Sequence, residues 1–209
     1  MRDIVGAAAL KLASTRKALL MLAGDPYGEN GDFFARDVYD TLPLNAIKTK
    51  FFSAGESSTK GRHLTNLEGS GQLPEGQAFV SQHCAIRIMP ISTGLLTDGD
   101  SNATMAALLY DLQMIYFEPT LSGKEFMGAM SFMSFMPTFN VRPAAGAVGV
   151  WPGILMNESW RYLDVPYQVP QLTQHGVNMV KGDGVDWAAS VKNKFQIQWI
   201  WRTIFARKT

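Results

Sequence analysis

The sequence predicts an all-β sandwich built from seven to nine short strands. Three features indicate this class: short apolar segments alternate with a period of two, the connections between them are rich in Gly, Pro, Ser and Asn, and strands do not alternate regularly with helices. The chain of 209 residues is long enough to form one large β domain with its own core. We therefore expect a helical arm over residues 1–32 and a sandwich domain over residues 33–209.

Seven segments carry the pattern expected of strands. Lys194–Phe205 is the strongest, because apolar residues at 195, 197, 199 and 201 occupy one face of an extended chain. Phe126–Phe135 is rich in Met and Phe on both faces, so we expect a strand that is covered on both sides. The predicted strands are Ile47–Ser53, Ala78–Ile91, Gln113–Thr120, Phe126–Phe135, Trp160–Pro170, Gln174–Val180 and Lys194–Phe205.

Two segments have helical spacing. Residues 2–23 place apolar side chains near one face and basic ones elsewhere, and Gly24-Asp25-Pro26 ends the pattern. Three interpretations fit this helix: it packs on its own domain, it reaches a neighbouring subunit as an arm, or it lies on a membrane or nucleic-acid surface. Ala103–Leu112 predicts a short inserted helix that is capped by Asp100 or Ser101.

The charge content points towards association with other proteins. The net charge of +1 excludes a free-standing nucleic-acid binder, because neutralising phosphates requires clustered Lys and Arg residues. Charged residues make up 18% of the chain, whereas about a quarter is typical of globular domains. Together with the many Met and aromatic residues, this indicates surface that is buried against partners. A large core is the alternative explanation.

Few residues are candidates for catalysis. Cys84 is the single cysteine, so it cannot form an internal disulfide, and its alternating apolar neighbours predict a buried structural thiol. His83 points to the opposite face of a strand, so no base accompanies the thiol. The sequence also contains no GxSxG nucleophile motif. We therefore predict that the protein is not an enzyme and has no catalytic residues.

Motifs for metals and cofactors are missing as well. The histidines at 63, 83 and 175 lack the paired spacing of a zinc site. Asp98–Asn102 predicts a turn and helix cap, since it lacks the spaced ligands and terminal Glu of a calcium loop. The glycines at 69–71 and 182–184 are not followed by a phosphate-binding fingerprint. We predict no metal site, no cofactor-binding residue and no cofactor.

The two ends of the chain combine apolar or aromatic residues with basic ones. No segment has about 20 continuous apolar residues, and basic residues interrupt Ile4–Leu22, which makes a poor signal peptide. Near the C-terminus aromatic residues stand beside basic ones, a pattern that also suits stacking on single-stranded bases. The stronger interpretation places the aromatic residues in the core and leaves the basic ones in solvent or on nucleic acid. These residues are Trp199, Trp201, Arg202, Phe205, Arg207 and Lys208.

Several pieces of the sequence occur in an order seen in one class of viral proteins. Residues 51–53, the run Leu64-Thr65-Asn66-Leu67-Glu68-Gly69-Ser70-Gly71-Gln72-Leu73-Pro74 and the strand Phe79–Ile88 come first. Tyr162–Pro170 and the closing segment Ile197–Arg207 follow. Over residues 47–207 this order resembles capsid-type jelly-roll proteins of tailless icosahedral bacteriophages and related uncultured viruses.

The resemblance implies a jelly roll of about eight antiparallel strands that acts as a capsid shell subunit. Such a subunit assembles by symmetric self-association into an icosahedral virion, after residing in the host cytoplasm. Its partners are copies of itself and other virion proteins, and it has no small-molecule substrate. Packaged nucleic acid or an internal membrane are further partners, reached through the N-terminal helix or the C-terminal basic residues.

Two other functions are compatible with a β-sandwich. A receptor- or carbohydrate-binding sandwich, as in a viral spike, needs an aromatic platform on its surface, for which Trp151 and Trp160 are the candidates. An enzyme on a cupin-like jelly roll needs two closely spaced histidines on a strand, and the sequence has none.

Overall fold

A computed structural model describes residues 15–43, 50–53, 64–66, 71–90, 112–135, 159–182 and 195–209. These residues form mainly antiparallel strands in two sheets that face each other, which confirms the predicted all-β class. The strands are β1 (Gly31–Pro43), β2 (Lys50–Phe51), β3 (Gln77–Pro90), β4 (Ile115–Leu121), β5 (Lys124–Glu125), β6 (Met130–Ser131), β7 (Ser159–Val169), β8 (His175–Lys181) and β9 (Phe195–Lys208).

The strands pair in a nested order. Sheet A has the order β1-β9-β3-β7, and sheet B has the order β2-β8-β4-β5 with β6 also paired to β4. The first strand therefore pairs with the last, β2 with β8, β3 with β7, and β4 with the short strands that follow it. Successive strand pairs lie in alternate sheets. The described strands therefore follow the path of one long antiparallel hairpin that is folded so that its parts form two facing sheets.

Aromatic side chains fill the space between the sheets. β9 presents Trp199 and Trp201 to the core, and both are fully buried. The Trp199 ring lies 5.3 Å from Phe117 of sheet B, measured between centroids. Tyr167 stacks on Trp201 at 4.5 Å, and its hydroxyl donates a 2.7 Å hydrogen bond to the Thr120 carbonyl oxygen across the core. These contacts bind the two sheets together.

A β-bulge explains an irregular pattern in β3. Phe79 faces the core, and so do the even-numbered Cys84, Ile86 and Ile88, although strict alternation puts odd and even positions on opposite faces. The pairing with β9 skips Gln82, which is the extra residue of the bulge. One additional residue changes the parity, so both halves of the strand contribute to the same core.

The expectation of one continuous strand over Phe126–Phe135 is wrong. The segment contains the two-residue β6 and then a 3-10 helix over Phe132–Phe135. Three residues per turn place Phe132 and Phe135 on the same side, where both rings pack against Phe117. The apolar residues are thus buried by a tight turn and not by two covered strand faces.

Two strands have no counterpart among the sequence predictions. β1 runs for 13 residues beside β9, although its charged residues hide the alternation of its apolar ones. β5 follows β4 through a tight turn in which Ser122 and Gly123 both have positive φ, at 52° and 76°. Such angles at both central positions are those of a two-residue hairpin loop.

The other predicted strands occur close to their expected positions, and β2 accounts for the described part of Ile47–Ser53. The inserted helix is seen only at residues 112 and 113, because residues 91–111 lie outside the described ranges. The predictions for residues 2–14, for the turn at 98–102 and for the glycines at 182–184 also lie wholly or partly outside them. The division into an arm and a sandwich domain stays a prediction.

The described part of the N-terminal helix, α1 over residues 15–22, packs on the outer face of sheet A. Leu19 and Leu20 lie against Ala78 of β3 and Ala206 of β9 in a small second core. Small residues permit this close approach, and a Cβ on Gly31 would overlap the Leu20 side chain. For these residues the structure supports the interpretation that the helix packs on its own domain.

Asp25 fixes the end of α1. Gly24 has φ of 87°, and the Asp25 N–H donates a 2.9 Å bond to the Leu20 carbonyl, which is the geometry of a Schellman motif. The Asp25 carboxylate then accepts N–H groups from Asn30 (2.8 Å), Glu29 (2.9 Å) and Tyr27 (3.0 Å). The Asn30 bond is the largest of the effects that lower the pKa of this carboxyl. One side chain thereby holds the whole link between α1 and β1.

Replacing Trp199 with Ala tests the inter-sheet core. We expect a loss of about 3–5 kcal/mol in the free energy of unfolding, because the change removes a fully buried aromatic side chain. Chemical denaturation measures this loss. Ile204→Ala on the exposed side of the same strand is the control, with an expected change within about 0.5–1 kcal/mol. A loss below ~1 kcal/mol for Trp199→Ala would contradict the assigned core.

Replacing Asp25 with Ala tests the link between α1 and the sheet. The three backbone N–H groups lose their acceptor, so amide exchange in residues 15–22 is expected to accelerate while exchange in β9 stays slow. Hydrogen–deuterium exchange with mass spectrometry measures both regions. Asp32→Ala, which removes an exposed carboxylate on β1, should leave α1 unchanged. Equal exchange of α1 in the Asp25 variant and the wild type would show that the carboxylate does not hold the helix.

Candidate functional site

The thiol of Cys84 has no catalytic surroundings. It is completely buried, and burial raises its pKa to about 12, so it stays protonated at neutral pH. His83 lies on the other face of sheet A, where its ring contacts Tyr162 edge-on at 5.4 Å. The two side chains therefore do not meet, as the alternation of a strand predicts.

No group of three or more His, Cys, Asp or Glu side chains within the described residues could hold a metal ion. A search of those same residues for a helix with the length and hydropathy needed to cross a bilayer found none.

His175 is a buried polar residue, and no local pattern in the sequence predicts its burial. Its ring is enclosed by Phe52 at 5.2 Å and Phe79 at 5.3 Å, and neither ring nitrogen has a hydrogen-bond partner among the described residues. Burial lowers its pKa from 6.5 to about 3, and the nearby charge of Lys50 acts in the same direction. The imidazole is consequently neutral in the folded protein at any pH near neutrality.

The C-terminal aromatic residues belong to the core. Trp199, Trp201 and Phe205 are buried between the sheets, so their faces are closed to nucleic-acid bases. The basic residues beside them lie outside, and the Lys208 ammonium donates a 3.4 Å bond to the Gly24 carbonyl oxygen. Arg207 is exposed, and contact of these charges with nucleic acid stays a prediction.

A row of polar and aromatic side chains crosses the outer face of sheet A. Asp37, Arg202, His83 and Tyr162 lie opposite one another on the four strands. The Arg202 guanidinium lies 3.7 Å from the Asp37 carboxylate. It also covers the Trp160 ring at 3.8 Å from the centroid. The Arg202 side chain therefore has its ionic partner within sheet A, and it covers one face of the Trp160 ring.

The contact between Arg202 and Trp160 weakens the carbohydrate-binding alternative. A sugar platform needs an open aromatic face, and Arg202 occupies one face of Trp160. The second candidate, Trp151, lies outside the described residues. Sugar binding therefore remains a prediction without a specific observation in its favour.

Sheet B carries an exposed apolar patch, which we call the sheet B patch and define as Met114, Tyr116 and Val180. Tyr116 and Val180 are directly opposed on β4 and β8, and Ile115, Phe117 and Met179 beside them lie in the core. All three side chains are more than one third exposed. An aromatic, an aliphatic and a thioether side chain in one place form a surface suited to apolar contact with a protein.

Comparison with family models, with curated proteins and with solved structures found no match for the chain.

The buried His175 predicts a specific loss of stability in acid. Below pH 6.5 the imidazole of His175 binds a proton in the unfolded chain, whereas in the folded protein it binds one only below about pH 3. The unfolded state therefore holds more protons in that window, so stability falls as the pH is lowered through it, by up to about 1.4 kcal/mol per pH unit. Above pH 6.5 this group makes no contribution.

His175→Phe, which keeps an aromatic ring in place, should flatten that part of the pH profile. Urea unfolding at several pH values between 7 and 4 measures the slope for the variant and the wild type. Val177→Ala on the same strand is the control, because it lowers stability by a similar amount at every pH and retains the slope. The same slope in the His175→Phe variant as in the wild type would rule out this histidine as its source.

Proposed function

We propose that the chain is a jelly-roll virion protein that acts as a capsid shell subunit. The observation that carries the proposal is the nested pairing, in which β1 pairs with β9, β2 with β8, β3 with β7, and β4 with β5. A jelly roll is an antiparallel ribbon wrapped so that successive pairs fall in alternate sheets of four strands. The sheet orders β1-β9-β3-β7 and β2-β8-β4-β5, the second with β6 also paired to β4, support this proposal.

The surface supports a role in association. Only 18% of the residues carry a charge, and ten large hydrophobic side chains are exposed within the described ranges. Two adjacent strands bring some of these together in the sheet B patch. Shell subunits bury such surface against identical neighbours related by symmetry axes. The exposed side chains are Met21, Tyr27, Phe34, Met114, Tyr116, Tyr162, Val165, Leu172, Val180 and Ile204.

The motif behind the resemblance has a structural role here. Gly71 has φ of 66°, and a Cβ at this position would overlap the Phe52 carbonyl oxygen. Its own carbonyl oxygen accepts the His175 N–H at 2.7 Å, and that of Leu73 accepts the Leu172 N–H at 3.0 Å. Gly71 and Leu73 of this run therefore connect the residue after β2 with the turn between β7 and β8 and the start of β8. A motif that holds the sandwich together favours a structural protein over one whose motifs serve chemistry.

Assembly is tested directly on the purified protein. We expect closed particles in negative-stain images and a fast-sedimenting species that depends on concentration. A protein that stays at the 23.0 kDa of one chain across the concentration range would contradict the proposal.

The sheet B patch provides the matched variants for this test. Tyr116→Lys combined with Val180→Lys should reduce particle formation, because two charges would be buried without partners at an apolar contact. The melting temperature should fall modestly, because both side chains are partly exposed in the single chain and two lysines directly opposite each other repel. Glu75→Lys, at an exposed turn residue that does not belong to the apolar set, is the control that should assemble normally. Unchanged assembly of the double variant would remove the patch from the interface.

A further inference from the structure

The outer edge of β1 could pair with a strand of another molecule. β1 lies at one edge of sheet A, and the described residues contain no strand beside its outer edge. Exposed backbone N–H and C=O groups on a 13-residue edge strand are a template for pairing with another chain. Two residues outside the strands, Thr65 and Asn66, lie on this edge, and Thr65 forms an isolated antiparallel bridge with Asp40.

Asn66 binds the edge with its backbone and its side chain. Its N–H donates to the Tyr39 carbonyl oxygen at 3.3 Å, and its Oδ1 accepts the Tyr39 N–H at 2.9 Å. Its Nδ2 donates to the Asp37 carbonyl oxygen, and its own carbonyl oxygen accepts a bond from the Arg36 guanidinium. The Thr65 hydroxyl adds a 3.2 Å bond to the Tyr39 carbonyl oxygen.

The side-chain amide of Asn66 takes the place of a peptide group. An antiparallel neighbour would accept the Tyr39 N–H and donate to the Tyr39 carbonyl in the same way. The amide oxygen accepts the Tyr39 N–H and the amide NH₂ donates to the Asp37 carbonyl oxygen, while the backbone N–H of Asn66 donates to the Tyr39 carbonyl oxygen. One residue thus occupies three backbone groups of β1. A second strand cannot pair with Asp37–Tyr39 unless these bonds are first broken.

We propose that Thr65 and Asn66 form an edge clip that closes the middle of β1 against pairing with a second copy of the chain. The second copy is the relevant partner, since every copy presents the same edge and two such edges can pair antiparallel about a two-fold axis. The clip prevents β1 of one copy from pairing with β1 of another and so blocks this edge-to-edge dimer. This inference is independent of the capsid proposal, because it concerns any state in which the protein is concentrated.

Asn66→Ala tests the clip through two measurements. Loss of one net hydrogen bond should make the Tyr39 amide exchange about tenfold faster, as measured by NMR. Sedimentation velocity at the same concentrations should show a new associated species, a dimer formed through the β1 edges. If the wild type forms particles, the variant should form this dimer at their expense.

Matched variants separate edge protection from a purely structural role. Asn178→Ala removes another partly buried asparagine, on sheet B, and should associate as the wild type does. Adding Ala35→Lys to Asn66→Ala should suppress the new species, because a lysine on an exposed edge position blocks strand addition. Loss of stability in Asn66→Ala without any new association would overturn the proposal.

A milder change covers the case in which Asn66→Ala does not fold. Thr65→Val removes only the hydroxyl donor to the Tyr39 carbonyl oxygen. It should give a smaller increase in the same associated species, again suppressed by Ala35→Lys. Association equal to that of the wild type in a folded Thr65→Val protein, together with an unfolded Asn66→Ala protein, would assign these residues to folding and overturn the edge clip.

Discussion

The structure depends on the aromatic layer that β9 places between the two sheets. Trp199 contacts Phe117 of sheet B, and Trp201 stacks on Tyr167, whose hydroxyl reaches back across the core to Thr120. Because β9 also pairs with β1 on one side and β3 on the other, the strand that supplies this layer organises sheet A as well. Packing between the sheets and pairing within one of them therefore depend on the same residues.

Sequence reasoning succeeded where one strand carries its own signal. The alternation in β9 and the opposite faces of His83 and Cys84 could be predicted, since both depend only on the period of an extended chain. β1 could not be predicted, because it is stabilised by pairing with β9, which lies far along the chain. It also carries a buried acidic residue, Asp40, which the apolar alternation of a strand does not predict. The burial of His175 likewise arises from Phe52 and Phe79, which no local pattern connects to it.

Short polar side chains replace missing backbone partners at several places in the described part of the fold. Asp25 accepts the N–H groups of the turn after α1, and Asn66 fills the edge of β1. Asp40, although inside the sandwich, accepts the Phe52 N–H at 2.6 Å and so joins β1 to the residue after β2. Irregular backbone near a core must find partners for its polar groups. The sequence shows these residues, but only the fold shows which backbone groups they serve.

These features restrict how copies of the chain can meet. At its described end α1 covers part of the outer face of sheet A, and Asn66 occupies the middle of the β1 edge. The sheet B patch, in contrast, leaves three apolar side chains exposed on the outer face of sheet B. Edge pairing would add a strand to sheet A, whereas a contact through the patch buries apolar side chains without extending either sheet. Our capsid proposal relies on a contact of the second kind.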